Sequence, residues 1–354
     1  MSLYIRGIGN ISAQETFGSR AFPEQPVFEP LQCLSAIEPD YKEWIQPMTL
    51  RRMARILRMG IAAAGQALKD ANLESPDAVL TATALGCTQD TDRFLRSMIE
   101  REEQTLAPTA FIQSTHNTIG GQIALQNKWH VYNMCYSQRG ASFETALYDA
   151  LLLGEEGRAE NILLGAIDEL ITPSVQLMAR LGMYRVQPVH PHELLQTRLR
   201  GTTGGEGAMF MVLGSGKEHS YAEVMDVETH YKPGEDEVLQ LASRFLERNK
   251  LGPQDIDLFV IGRNGDQSAE PWYDRMEQHL FSDHQPVQAA FKHLSGEYHT
   301  AVSFGLWMAA MTLHHQYVPD YALLSGEVVR PLKHALLYNH FLERNHSFIL
   351  VSTC

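Results

Sequence analysis

The chain has 354 residues, 44% of them hydrophobic and 20% charged, and its formal net charge at pH 7 is −13. This length and composition are typical of one large globular unit or of two fused halves. The negative charge argues against nucleic acid or an anionic membrane surface as a partner, because binding to phosphate depends mainly on Lys and Arg. The four cysteines have no CxxC spacing, no apolar stretch approaches about 20 residues, and residues 1–12 lack a signal-peptide pattern. We therefore expect a cytoplasmic protein without a bound cofactor or metal.

Strands and helices alternate along the first half of the chain. Apolar residues at helical spacing predict one long helix from Met48 to Leu73, with Thr49 as its N-cap. After Gly140, an alanine-rich pattern predicts a helix that ends at Gly154. The segment from Tyr184 to Gly201 has the composition of a loop. The other predicted elements are strands at 3–11, 79–86, 129–136, 162–166 and 204–213 and a helix at 91–103.

The same alternation starts again near Tyr221. Strands are predicted at 221–228, 258–262, 287–290 and 347–352, and helices at 236–249, 271–280 and 300–314. Strands that alternate with helices in both halves predict a layered α/β architecture. We divide the chain into an N-terminal half at 1–219 and a C-terminal half at 220–354.

Three segments occur in a fixed order. They are TLAPTAFIQSTHNTIGGQIALQ, then YNMCYSQRGASFETALYDALLLGEEGRAENILLGAIDEL, then GGEGAMFMVLGSG. This series resembles the β-ketoacyl-acyl-carrier-protein synthases of fatty acid and polyketide assembly. The resemblance implies a thiolase-like, five-layer αβαβα fold made of two similar halves.

The resemblance also implies a site with four parts. The family's nucleophile is a cysteine at the amino end of a buried helix, where the helix dipole favours the thiolate. Two histidines promote decarboxylation, and a glycine-rich loop holds the oxyanion. Counting back from Gly154 puts the nucleophile position at Ser137, whereas counting forward from Asn117 leaves Cys135 or Gln138 open. The alternative interpretation of Cys135 is a small buried apolar residue.

The remaining three parts are degenerate in this sequence. Gly262 occupies the place of the first histidine, and Glu297 replaces the second, although the associated Lys292 is kept. Rescue by His293 or His299 is the alternative. In the glycine-rich loop the aromatic residue remains as Phe341. Leu342 and Glu343 stand where the family has glycines, so the backbone cannot approach a reacting carbonyl closely.

Within this family, chain length factors keep the fold, lack the active cysteine and pair with an active synthase. The leading hypothesis is a non-condensing subunit of fatty acid, polyketide or aryl polyene biosynthesis. It would form a heterodimer with an active ketosynthase, shape the acyl tunnel and meet acyl carrier protein only indirectly. One alternative is an acyltransferase or otherwise altered enzyme that uses Ser137 or Cys135. Another is a non-catalytic acyl-binding homodimer.

Overall fold

Strands form where the chain is apolar and β-branched, since such side chains pack well on a buried pleated surface. The computed structural model describes residues 3–27, 32–106 and 108–354; Ala107, in the first of the three segments above, lies outside them. The strands are β1 (Leu3–Ile11), β2 (Cys33–Leu34), β3 (Ala78–Ala82), β4 (Tyr132–Tyr136), β5 (Asn161–Asp168), β6 (Gly204–Gly205), β7 (Gly207–Gly214), β8 (Ala222–Tyr231), β9 (Leu258–Ile261), β10 (Val287–Ala290), β11 (Leu323–Ser325), β12 (His334–Phe341) and β13 (Asn345–Ser352).

Helices connect most of these strands. They are α1 (Pro47–Leu50), α2 (Arg55–Asp70), α3 (Thr88–Glu100), α4 (Pro108–Gln113), α5 (Thr118–Asn127), α6 (Ser142–Glu155), α7 (Thr172–Arg180), α8 (Pro191–Thr197), α9 (Glu235–Arg248), α10 (Glu270–Phe281), α11 (Lys292–Ser295) and α12 (Val302–His315). Among the described residues, no helix is long and apolar enough to cross a membrane.

The strand order shows that the two halves of the chain repeat one topology. The large sheet runs β11-β10-β9-β12-β13-β8-β1-β7-β5-β3-β4, while β2 and β6 pair separately. When the five main strands of each half are numbered in chain order, the strands of both half-sheets follow the order third, second, fourth, fifth, first from the outer edge inward. Strand β11 is added at the edge of the C-terminal half. A short antiparallel pairing of Leu3–Ile5 with residues 222–224 joins the halves. The prediction of two similar halves agrees with this repeat.

Three apolar clusters divide the molecule into five layers. The central cluster contains α6 and α12 between the two half-sheets, with Phe143 and Trp307 among its buried side chains. A second cluster packs α2 and α5 on the outer face of the N-terminal half, and a third packs α9 and α10 on the outer face of the C-terminal half. Each fully buried large apolar side chain stabilises the fold by about 1.5–3 kcal/mol. The predicted α/β fold with αβαβα layering is confirmed.

Three predictions of local structure were wrong. The helix predicted from Met48 to Leu73 is two helices, α1 and α2, and Thr49 lies inside the first of them. Met53 and Ala54 are buried in the turn between these helices, so the apolar spacing is satisfied without a continuous helix. The loop predicted at 184–201 contains α8. Strand β12 was not predicted, and its last residues, 339–341, were assigned to the glycine-rich loop.

Candidate functional site

The turn that leads into helix α6 corresponds to the nucleophile position of the resembling family. Strand β4 ends at Tyr136, and Arg139 has a left-handed backbone with φ of 54°. A single 3-10 turn over Arg139–Ala141 then leads into α6 at Ser142. Gly140, in the middle of this 3-10 turn, is buried just ahead of the amino end of the helix.

A side chain has no room at position 140. A Cβ atom built on Gly140 would lie 2.4 Å from Cβ and 2.7 Å from Cγ of Phe341. Carbon atoms in contact are about 3.5–4.0 Å apart, and the Cβ of Phe341 is fixed to its backbone. The aromatic residue that the family resemblance identified thus fills the space in which a nucleophilic side chain would stand.

The two nucleophile candidates from the sequence lie before this turn. Ser137 follows strand β4, and its hydroxyl donates to the carbonyl of Ala84 over 3.3 Å. Cys135 is inside β4, opposite Thr81 of β3, and burial raises the pKa of its thiol. A raised pKa leaves Cys135 protonated at neutral pH, which lowers its reactivity. Whether either residue carries an acyl group stays a prediction.

Lys292 and Glu297, the two residues of the second-histidine pattern, form a buried ion pair. Lys292 Nζ lies 2.8 Å from Glu297 Oε2, and both side chains are less than a tenth exposed. Lys292 also donates to the carbonyl of His340 over 3.0 Å. Removing one member of a buried pair leaves an uncompensated charge, which costs about 3–5 kcal/mol. Each residue is therefore the main polar partner of the other.

Asn264 completes this group, and the sequence analysis assigned it no role. Its side-chain amide donates to Glu297 Oε2 over 2.6 Å, and it lines the cavity described below. Gly262 does not line that cavity. A Cβ there would lie 2.4 Å from Asn339 Oδ1 and 2.8 Å from the hydroxyl of Tyr273. Asn264 lies two residues beyond Gly262, just before the left-handed Gly265. A polar residue beside a turn glycine is the sequence feature that could have identified Asn264 as a site residue.

A cavity of about 340 Å³ opens beside the ion pair. Its inner wall contains Glu297 and His299, and the ring of His299 packs on Phe341 with centroids 4.3 Å apart. Burial lowers the pKa of His299 despite the nearby carboxylates of Asp168 and Glu297, so its imidazole is neutral at pH 7. The other lining residues are Met178, Leu181, Gly182, Met183, Tyr184, Arg200, Thr202, Asn264, Asp266, Gln267, Ser268, Ala269, His340, Phe341, Leu342 and Glu343.

His293, the other histidine considered as a replacement, is outside this cavity. Its Nε2 donates to the carbonyl of Tyr321 over 2.8 Å. Complete burial lowers the pKa of His293 to about 4. It is a buried structural histidine, whereas His299 faces the cavity.

The turn between β12 and β13 keeps a left-handed backbone without its glycines. Leu342 and Glu343 have φ angles of 52° and 55°, in a region that bulky residues rarely adopt. Both side chains line the mouth of the cavity. The backbone shape of a glycine-rich turn therefore remains, but side chains occupy the space that glycines would leave open.

This geometry differs from the site that the family resemblance implies. The head of helix α6 is a glycine, and the position of the second histidine is a carboxylate held by Lys292. A carboxylate accepts hydrogen bonds, whereas stabilising an enolate or oxyanion requires donors. At the position that the resemblance assigns to the second histidine, this chain therefore offers a hydrogen-bond acceptor.

Comparison with known proteins gives a match in sequence over part of the chain and a match in fold over all of it. Residues 30–179, about two fifths of the chain, match the family model described as "Beta-ketoacyl synthase, N-terminal domain". No curated protein sequence matches the chain. The ishigamide ketosynthase/chain length factor is 17% identical with a TM-score of 0.84, and the match covers 100% of this chain and 99% of that one.

Two further structures have the same fold over the same extent. A complex of a type II PKS acyl carrier protein with its ketosynthase, bound to the hexaketide, matches with 13% identity and a TM-score of 0.74. A β-ketoacyl synthase from Burkholderia phymatum STM815 matches with 16% identity and a TM-score of 0.77. Each match covers 100% of this chain and 99% of the other. The chain thus has the thiolase-like fold of ketosynthases and chain length factors throughout, and it resembles the β-ketoacyl synthase N-terminal domain in sequence over residues 30–179.

Proposed function

We propose that this chain is the non-condensing, chain-length-factor-type subunit of a ketosynthase pair. The observation that carries the proposal is the contact between Gly140 and Phe341, which leaves no side chain and no space at the head of helix α6. A chain that keeps the whole fold but cannot form an acyl-enzyme at that position must act through a partner. The active ketosynthase subunit would supply the cysteine and both histidines.

Strand β4 supports the pairing. It is the last strand of the large sheet, and within the described residues only β3 pairs with it. Tyr132 and Met134 in this strand are 38% and 42% exposed. An exposed, unprotected edge strand favours pairing with another chain. A second chain of the same fold offers an equivalent edge, so the two sheets can continue across the interface.

Helix α5 beside this edge, and α4 just before it in the chain, add exposed apolar area. Leu125 of α5, which packs against β4, is 70% exposed. Phe111 and Ile112 of α4 are 56% and 61% exposed. Monomeric proteins seldom leave neighbouring large apolar side chains in water, and such patches mark interaction surfaces. We assign this surface to the ketosynthase partner rather than to a second copy, because a homodimer would contain no active cysteine at either helix head.

The net charge of −13 fits the same division of labour. An acidic acyl carrier protein would be repelled by this subunit and would dock on the active one, so its role here is indirect. The contribution of this chain is to shape the tunnel that holds the growing acyl chain. We leave fatty acid, polyketide and aryl polyene products as the alternatives within this proposal.

Co-expression with the ketosynthases of the host tests the proposal. A tagged copy of this chain should retain one ketosynthase in equal amount, and the purified pair should condense malonyl units while this chain alone should not. Ser137→Ala should leave the rate of the pair unchanged, because Ser137 is bonded to the backbone in a turn. Condensation by this chain alone that Ser137→Ala abolishes would refute the proposal. A stable homodimer that ignores every co-expressed ketosynthase would refute it as well.

A further inference from the structure

The buried carboxylate of Glu297 has an unused hydrogen-bond acceptor. Its Oε2 atom accepts from Lys292 and from Asn264 over 2.8 and 2.6 Å. Its Oε1 atom is buried and has no donor among the described residues. A buried polar atom without a partner costs about 1–3 kcal/mol, and more when it is charged. Glu297 lines the cavity with a side chain that is 8% exposed, so a small shift of this side chain brings Oε1 within reach of a bound molecule.

The polar groups around Glu297 do not supply that donor. Lys292 directs its ammonium to Glu297 Oε2 and to the carbonyl of His340. Asn264 uses its amide on the same Oε2 and accepts from the backbone of Asp266. The ring of His299 contacts Phe341 and makes no hydrogen bond to a described residue. Both Glu297 and His299 are thus available to a ligand.

Charge decides which ligands fit. Three carboxylates line the cavity, those of Asp266, Glu297 and Glu343, and among the described lining residues the one guanidinium is that of Arg200. Arg200 is exposed and donates to the carbonyl of Leu181. An anion would therefore be repelled by the wall. An ammonium group would lie next to the Lys292 ammonium, which already compensates Glu297. An uncharged donor avoids both repulsions.

Size and surface set the rest of the ligand. The cavity of about 340 Å³ is more than twice as large as a cavity of about 150 Å³ that holds benzene in another protein. Leu181, Met183 and Phe341 give it apolar walls beside the polar end. Such a combination of apolar walls with one or two fixed polar groups is typical of small-molecule sites.

We propose that this cavity binds an uncharged apolar molecule carrying a hydroxyl group, and that the hydroxyl donates to the carboxylate of Glu297. The binding mode rejects carboxylates of the same shape, because they bring a second negative charge and no donor. This inference does not depend on the ketosynthase partner. The cavity and the exposed edge at β4 are built from different residues, so either proposal can fail alone.

Three probes of matched shape test the proposal by isothermal titration calorimetry on the full chain. They are 4-ethylphenol, its methyl ether, which lacks the donor, and 4-ethylbenzoate. Because a hydrogen bond to a charged group contributes about 1.5–3 kcal/mol, the ether should bind at least about tenfold more weakly than the phenol. The benzoate should bind more weakly than the ether.

Two variants localise the effect. The double variant Lys292→Met/Glu297→Leu replaces the ion pair by apolar residues of similar size, a change that buried pairs often tolerate. It should bind phenol and ether equally, with its fold checked by circular dichroism. Leu181→Trp, at a 57% exposed position on the cavity wall, should weaken both probes. No binding of any probe, equal binding of phenol and ether, or tighter binding of the benzoate would each overturn the proposal.

Discussion

The contact between Gly140 and Phe341 predicts an unusual response to the smallest possible substitution. Gly140→Ala adds a Cβ that would lie 2.4, 2.7 and 2.9 Å from three atoms of Phe341. The shortest of these distances falls about 1.1–1.6 Å short of normal carbon contact. Overpacking of this kind costs roughly 1–3 kcal/mol. Replacing a glycine by alanine also stabilises the protein by about 0.4–1 kcal/mol, because the unfolded chain loses conformational freedom. We therefore expect the free energy of unfolding to fall by about 1–2 kcal/mol in total.

Urea unfolding followed by circular dichroism, at one protein concentration, measures this loss. Gly121→Ala is the matched control, since Gly121 is an exposed glycine inside helix α5 with no atom within 4 Å of its added Cβ. That variant should be more stable than the parent by about 0.5–1 kcal/mol. The two glycines should thus respond with opposite sign.

A double-mutant cycle tests whether Phe341 is the cause. Phe341→Gly removes all three clashing atoms, so adding Gly140→Ala in that background should carry no penalty. The two substitutions would then be clearly non-additive, as expected for residues in contact. A Gly140→Ala variant as stable as its Gly121→Ala control, or a penalty that survives in the Phe341→Gly background, would refute the reasoning that position 140 has no room for a nucleophile.

Three further predictions concern the edge, the ion pair and a buried acid. Met134→Lys should abolish association with the partner, because a lysine on an edge strand opposes strand pairing. Size-exclusion chromatography with light scattering measures this association. The control Val329→Lys, at an 80% exposed position, should have no effect. Lys292→Met alone should destabilise the fold by about 3–5 kcal/mol in urea unfolding, and adding Glu297→Leu should recover most of that loss; simple additivity would contradict it. Full burial raises the pKa of Glu144 from 4.5 to about 7, so the folded state favours the protonated acid. The stability that the protonated Glu144 contributes is complete below about pH 4.5 and is lost as the pH rises toward 7, by about 1.4 kcal/mol per pKa unit. Glu144→Gln should flatten this part of the curve of unfolding free energy against pH. An unchanged slope would contradict the assignment.

The sequence by itself determined most of the fold. Runs such as Ile162–Ala166 and Val287–Ala290 are short and apolar between turn signals, and they form strands β5 and β10. The alternation of such strands with helices follows from the spacing of apolar residues along the chain, so it can be predicted from the sequence. The sequence also carries the prediction that condensation chemistry is lost, because residue types such as Glu297 at the place of a histidine do not depend on coordinates.

Tertiary structure decided where those residues lie and what they do. Counting along the chain placed the nucleophile position at Ser137. The start of helix α6, however, is fixed by the left-handed backbone of Arg139. A left-handed backbone at a residue other than glycine cannot be recognised from the sequence. Strand β12 is formed by pairing with β9 and β13, which are distant or later in the chain. Asn264 and Lys292 meet Glu297 only because strands β9 and β10 are neighbours in the sheet. Non-local pairing of this kind brings Phe341 against Gly140 and creates the cavity, so no count of local spacing could have found either.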